Sequence, residues 1–406
     1  MKSTLSWLDY NAAAREKTLQ VLTLFREQDS RDELGIAGIR DAIADQLFPG
    51  TSTIQTRLRY FFFIPWLYAQ LEAKGIPSDR FQAEGRRAEL ALSALLTETG
   101  ELGVIGSSAG STLRRLPSSI YWAGLGHWHI RRFPGTGQQY FAQANRLYDL
   151  RKHQQRRHQQ EEAEHAHSHD TWHPRVLQLM PKNFPQGTGL PLTREEAELL
   201  LDLWSNHAGD SLLAWLAQDM AKRGQMETCD DIWAHPRAMH FPEHLKRLII
   251  HAQRFAILVN GAALLYNLML CKLRPDLAQK AEDYRQLLVE WGQDKWPLLQ
   301  EWDIQSFWPL VIGKGHTITT PTQRFFEEFL RVTLQAQGAI ADYDSARQLI
   351  QQRERLLKKA RSRFDNPTVL KQWGGSSGAS MLDYRWRIAS EMLRDWHSGY
   401  HSEGGA

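Results

Sequence analysis

Residues 49–68, PGTSTIQTRLRYFFFIPWLY, decide how this chain is read. Upstream, Ile36, Ile39, Ile43 and Leu47 recur every three or four residues. That spacing predicts a helix ending at Phe48-Pro49-Gly50, where proline and glycine stop it. Thr51, Ser52 or Thr53 can cap a following helix that runs into the aromatic run Tyr60 to Phe63, with Pro65 expected to kink or interrupt it before Trp66 to Leu71. Helix, Pro-Gly break, then a polar helix start is the composition of a helix-turn-helix, whose second helix offers its first residues to the major groove. On that reading Thr53, Gln55, Thr56 and Arg57 read bases and Arg59 holds a phosphate. The same composition also fits an ordinary helical hairpin with solvated arginines. A further helix is expected from Tyr10 to Arg26, through Leu19, Val21, Leu22, Leu24 and Phe25.

A comparable pattern follows at 86–130. The string RRAELALSALL reads as a helix, Gly103, Gly106 and Gly110 mark turns, and Ser111 or Thr112 can cap a short helix carrying Arg114 and Arg115. Pro117 opens another that runs towards His129. A second helix-turn-helix or a winged helix would fit residues 90–135, with Arg131 and Arg132 at its exit beside a passing backbone. A packed subdomain with Trp122 and Trp128 in its core fits the same string.

With 406 residues the chain exceeds what one hydrophobic core usually serves. Hydrophobic residues make up 42% and charged residues 23%, which excludes global disorder. The 49 basic side chains barely outnumber the 46 acidic ones, so attraction to phosphate requires local clusters. Between residues 151 and 192 the chain turns polar and His-rich, then rich in proline and glycine, which predicts a linker between an N-terminal region, 1–150, and a C-terminal domain, 193–406. Thr193 and Glu196 form a capping box. Helical periodicity follows over 197–223, 241–273, 277–291, 322–335 and 345–363. Strand-like alternation is confined to 307–318. The expectation is a mainly α protein, its N-terminal region of helix-turn-helix or winged-helix character and its C-terminal domain all-α.

Chemistry-bearing motifs are sparse. His153, His158, His165, His167, His169 and His173 suit metal in type, but alternate residues do not share a helix face, and a solvated linker is expected. No nucleophile elbow, paired-histidine zinc motif or phosphate loop occurs, and the glycines at 374–378 lack the lysine that would follow them. Cys229 lies beside Glu227, Asp230 and Asp231, which raise a thiol's pKa. No enzyme activity, cofactor or metal is expected. The two cysteines fit a reducing compartment. The first ten residues lack the apolar core of a secretory signal. The apolar run 255–271 contains Asn260, Gly261 and Asn267 and reads as a buried helix rather than a membrane span, so a cytoplasmic protein is expected. In ARQLIQQRERLLKKARSRF (residues 346–364), Leu349, Ile350, Leu356 and Leu357 are expected to face inward. Arg353, Arg355, Lys358, Lys359, Arg361 and Arg363 are then left outside to track a phosphate backbone.

The strings SWLDY (6–10), RDELGI (31–36), PGTSTIQTRLRYFFFIPWLY (49–68), RRLPSSIYWAGL (114–125), GAALLYNLML (261–270) and RERLLKKARSRF (353–364) resemble a bacterial domain-of-unknown-function family met in anti-phage defence gene clusters. The resemblance spans nearly the whole chain; the His-rich insert departs from it. It implies helicase or nuclease subunits as partners; together with the local basic clusters on helices, the expectation is a DNA-binding accessory subunit of a defence complex. The resemblance supplies no catalytic residues. The alternative is a scaffold that organises protein partners without touching nucleic acid.

Overall fold

The computed structural model describes residues 33–158 and 170–402. The expected helix at 10–26 lies outside them, as do His165, His167 and His169. Sixteen α-helices and no strand occur among the described residues. They begin with α1 (Ala37–Leu47), α2 (Tyr60–Ala73), α3 (Ser78–Glu98), α4 (Pro117–His127), α5 (Gly137–Ala142), α6 (Ala144–His158), α7 (Pro174–Gln178), α8 (Arg194–His207) and α9 (Leu212–Arg223). Next come α10 (Glu243–Lys272), α11 (Ala278–Asp294), α12 (Trp308–Val311), α13 (Thr320–Gln335), α14 (Asp344–Lys358), α15 (Pro367–Gln372) and α16 (Trp386–Tyr400). The stretch 307–318 holds a short helix instead of the expected strand.

The chain divides into two compact units: residues 1–43 with 246–384, and residues 44–245 with 385–406. The tract 151–192 lies within the second of these. The helix expected over 197–223 breaks at Ala208, and Ser211 caps the new start by accepting from the Ala214 amide. Thr193 and Glu196 form the expected capping box at the start of α8.

In the second unit α2 is the central element. All nine residues from Tyr60 to Tyr68 are buried, and the helix runs through Pro65 to Ala73. The Phe61 ring stacks on Trp128 at 3.9 Å between centroids. The series continues through Trp204 to Trp396, at 5.3 and 6.2 Å. Burying one such side chain contributes about 1.5–3 kcal/mol, and each indole N–H needs an acceptor. Trp66, Trp128 and Trp396 donate to the carbonyls of Val176, Pro49 and Ala197. Gly50, at φ +80°, leaves no room for a β-carbon, which would sit 2.5 Å from the Trp128 indole nitrogen.

The first unit is organised on α10. Phe255 packs on Phe307 and Phe326. By length and composition α10 is the one described helix apolar enough to cross a membrane, yet 78% of its most apolar window is buried within the structure. Its polar interruptions have defined tasks. Asn267 donates to the carbonyls of Ala263 and Ser377 and accepts from the Ser377 amide, while Asn260 donates to the Ala379 carbonyl. The 374–378 glycine-serine loop is thereby tied down on an apolar helix.

Candidate nucleic-acid interface

Residues 51–59 are not the start of a recognition helix. Their backbone is satisfied by side chains rather than by a helical ladder. Gln55 accepts from the Ser52 amide and donates to the Gly50 carbonyl, which leaves it 2% exposed. The Tyr121 hydroxyl accepts from the Thr56 and Arg57 amides and donates to the Arg57 carbonyl. Asp395 accepts from the Leu58 amide and pairs with Arg57 at 2.9 Å. Thr56 donates its hydroxyl to Gly103, and Thr53 sits exposed in a turn. With these bonds made, helix α2 begins only at Tyr60. The helix-turn-helix expectation for this stretch is therefore corrected, and among the described residues no strand exists to form a wing.

Arg59, expected on phosphate, is buried. It pairs with Glu196 at 2.8 Å and donates to the Gly189 carbonyl. Burial pushes the Glu196 carboxyl up, opposed by the attraction of Arg59. Gln55 thus closes its own turn, while Arg57 and Arg59 act inside the unit, tying this stretch to Asp395 and to Gly189 and Glu196.

Arg114 and Arg115 have the opposite fate. Both are exposed, and among the described residues neither side chain has a hydrogen bond or ion pair. The expected helix around them is absent: a single 3₁₀ turn covers Gly110–Thr112, and α4 starts at Pro117. Arg86 on α3 donates to the carbonyls of Ser111 and Leu113, which fixes this loop and adds a third guanidinium beside it. The first turn of α4, where this loop ends, is held by Glu89, which accepts from the Ser118 amide and hydroxyl and from the Tyr68 hydroxyl. Burial holds the Glu89 carboxyl above the usual carboxylate range.

Arg131 is turned back on its own loop. It donates to the Trp122, Phe133 and Gly135 carbonyls and lies over the Trp122 ring at 4.8 Å. Burial pulls its pKa down. Arg132 remains exposed, 4.0 Å from Asp170.

The basic helix α14 departs from the expectation in part: Ile350 faces inward and Arg355 outward as expected, but Arg353 is buried and Leu356 and Leu357 are exposed. Its buried residues are Ala346, Ile350, Arg353 and Glu354, spaced i, i+4, i+7 and i+8, while Leu356 and Leu357 are 59% and 40% exposed. A buried polar network sets this orientation. Glu354, fully buried, accepts from the Arg363 amide and the Tyr266 hydroxyl. Arg363 pairs with Glu33 at 2.8 Å and donates to Tyr266 and Ser377. Lys358 also pairs with Glu33. Arg353 donates to the Leu34 carbonyl and to Thr322. Arg353, Lys358 and Arg363 are therefore not phosphate ligands. Arg355 is exposed but engaged by Asp365 at 2.7 Å, which leaves Lys359 and Arg361 exposed and, among the described residues, without a side-chain partner. Sequence spacing could not find Glu33, Tyr266 or Ser377, because their partners lie 88 residues or more away or on another element.

Among the described residues no group of three or more His, Cys, Asp or Glu side chains is placed to hold a metal ion. His153 lies on α6, and His173 sits at the N-cap position of α7 without a side-chain capping bond. Burial, then Asp231 and Asp230, pushes the Cys229 thiol up to about 11, so it is protonated at neutral pH.

These features describe an all-helical protein whose free cations gather in small surface sets rather than in a reading helix. The chain belongs to DUF6361, a family of unknown function whose model matches residues 2–398. No curated protein and no solved structure matches it.

Proposed function

We propose that this protein is a non-enzymatic accessory subunit of a bacterial anti-phage defence complex, working beside helicase or nuclease subunits, and that it holds nucleic acid by its phosphates rather than by its bases. The defence setting rests on the resemblance of the six strings above. The phosphate reading rests on one observation: Arg114 and Arg115 stand exposed, and unpaired among the described residues, on a loop fixed by Arg86. Two adjacent free guanidinia on a fixed loop suit backbone contact, which carries no sequence information. In the other unit Lys359 and Arg361 offer a smaller set. The base-reading role of residues 53–57 is dropped.

Binding of the purified chain to a 30-base-pair duplex and to the matching single strand, titrated between ~50 and ~200 mM salt, tests this. Affinity should fall steeply with salt and be indifferent to sequence. The double variant Arg114→Ala/Arg115→Ala should lower the salt slope by about 2, one for each lost phosphate contact. Salt-insensitive or absent binding rules the reading out.

The scaffold alternative has its own observation, an open groove between two helices of the first unit.

A further inference from the structure

The misfit between the apolar residues of α14 and its buried face leaves a surface feature that nucleic-acid binding does not use. Helices α13 and α14 pack against each other, and a groove of 570 Å³ runs between them, lined in part by Pro321, Phe325, Leu349 and Leu356. Leu349 and Leu356, seven residues apart on one face of α14, give the groove an apolar strip where a solvated helix would carry polar residues, and Leu356 is 59% exposed. The charged residues of the groove are almost all engaged. Glu327 accepts from the Trp308 indole, Glu328 pairs with Arg331, and Arg353 is held by Leu34 and Thr322 with its guanidinium over the Phe325 ring. Arg324 is the exception: it is exposed and has no side-chain partner among the described residues.

We propose that this groove docks an amphipathic helix of a partner protein, one that lays an apolar stripe against Phe325, Leu349 and Leu356 and sets a carboxylate against Arg324. The helix-in-groove mode needs an apolar channel between two helices and a polar contact that fixes register. Arg324 supplies that contact, and its charge decides the sign of the partner's side chain. Glu328 is neutralised by Arg331, and the lining as a whole sets the three arginines Arg324, Arg331 and Arg353 against the two glutamates Glu327 and Glu328, so the net charge offered to the occupant is positive. The groove uses none of the cations assigned to phosphate, so it stands or falls apart from nucleic-acid binding.

The test is a selection of random 16-residue helical peptides displayed on phage against the purified full-length chain, followed by fluorescence anisotropy on the enriched sequences. Enriched peptides should carry apolar residues at i, i+3 or i+4, and i+7, with Asp or Glu flanking them. Arg324→Glu should weaken the best peptide at least tenfold, and replacing that peptide's acidic residue by Lys should restore binding to the Arg324→Glu protein but not to the wild type. Leu356→Asp should abolish binding. Both positions are exposed, and an unchanged melting temperature shows that each variant is folded. No enrichment, or enriched peptides that bind both variants as well as the wild type, overturns the proposal. So does concentration-dependent self-association of the chain that Leu356→Asp removes, which would make a second copy the occupant.

Discussion

Arg57 and Arg59 on one side, and Arg114 and Arg115 on the other, are close pairs of the same residue, each just ahead of an aromatic helix of the same compact unit. The first pair is consumed inside it by Asp395 and Glu196, carboxylates 338 and 137 residues away. The second meets no carboxylate among the described residues and is exposed to water. Local composition is therefore a poor guide to whether an arginine binds a ligand or the protein itself. The decision lies with acidic groups that folding brings in from elsewhere.

The largest difference should appear in stability. Arg59→Ala leaves the buried Glu196 without its cation, and an uncompensated buried charge costs about 3–5 kcal/mol. Arg114→Ala touches nothing buried and should stay within about 0.5 kcal/mol of the wild type. Urea denaturation of both variants measures this directly. Equal losses, or a mild Arg59→Ala, would erase the distinction between the inward and outward pairs.

A smaller effect separates Glu89, the buried carboxylate that holds the first turn of α4, from the exposed charges around it. Its folded-state pKa is raised by burial from an ordinary value near 4.5. The folded protein thus holds the proton more tightly than the unfolded chain. The contribution of Glu89 to stability is greatest below pH 4.5 and declines as pH rises through the folded-state pKa. Glu89→Gln keeps one acceptor oxygen, for the Ser118 and Tyr68 hydroxyls, loses the acceptor of the Ser118 amide at a cost that does not vary with pH, and removes the titration. Relative to the wild type, the variant should gain stability as pH rises from 4 and then level off. A pH-independent difference would show that Glu89 is not desolvated.

Much of the helical pattern was legible in the sequence. Periodicity marked α1, α10, α11 and α13 to within a few residues, and the Thr193 capping box fixed the start of α8, because caps and apolar faces are local. The strings 51–59 and 353–363 misled for a physical reason: their side chains are satisfied over long range. Tyr121 and Asp395 replace a helical ladder in the first, and Glu33, Tyr266 and Ser377 turn α14 in the second. A leucine pair on α14 read as inward because apolar periodicity was weighed alone. The buried charges outweighed it, since a carboxylate such as Glu354 cannot be buried without its donors. Arg114 and Arg115 are expected on a short helix, yet they lie in the loop between the 3₁₀ turn at Gly110–Thr112 and α4, and it is this loop that leaves them exposed.

The smallest effect concerns Arg355, which is exposed like Arg114 but already engaged, by Asp365. If the end of α14 lies on the phosphate backbone through Lys359 and Arg361, freeing Arg355 adds a third cation to that set. Asp365→Asn should do this while leaving the melting temperature unchanged, since both side chains of the pair are nearly half exposed and solvent screens their attraction. One additional phosphate contact steepens the dependence of log affinity on log salt by about 0.9 on duplex DNA. A steeper slope in Asp365→Asn extends the phosphate surface to α14. An unchanged slope confines it to the loop of Arg114 and Arg115, and the contrast between consumed and free arginines then holds within the second unit alone.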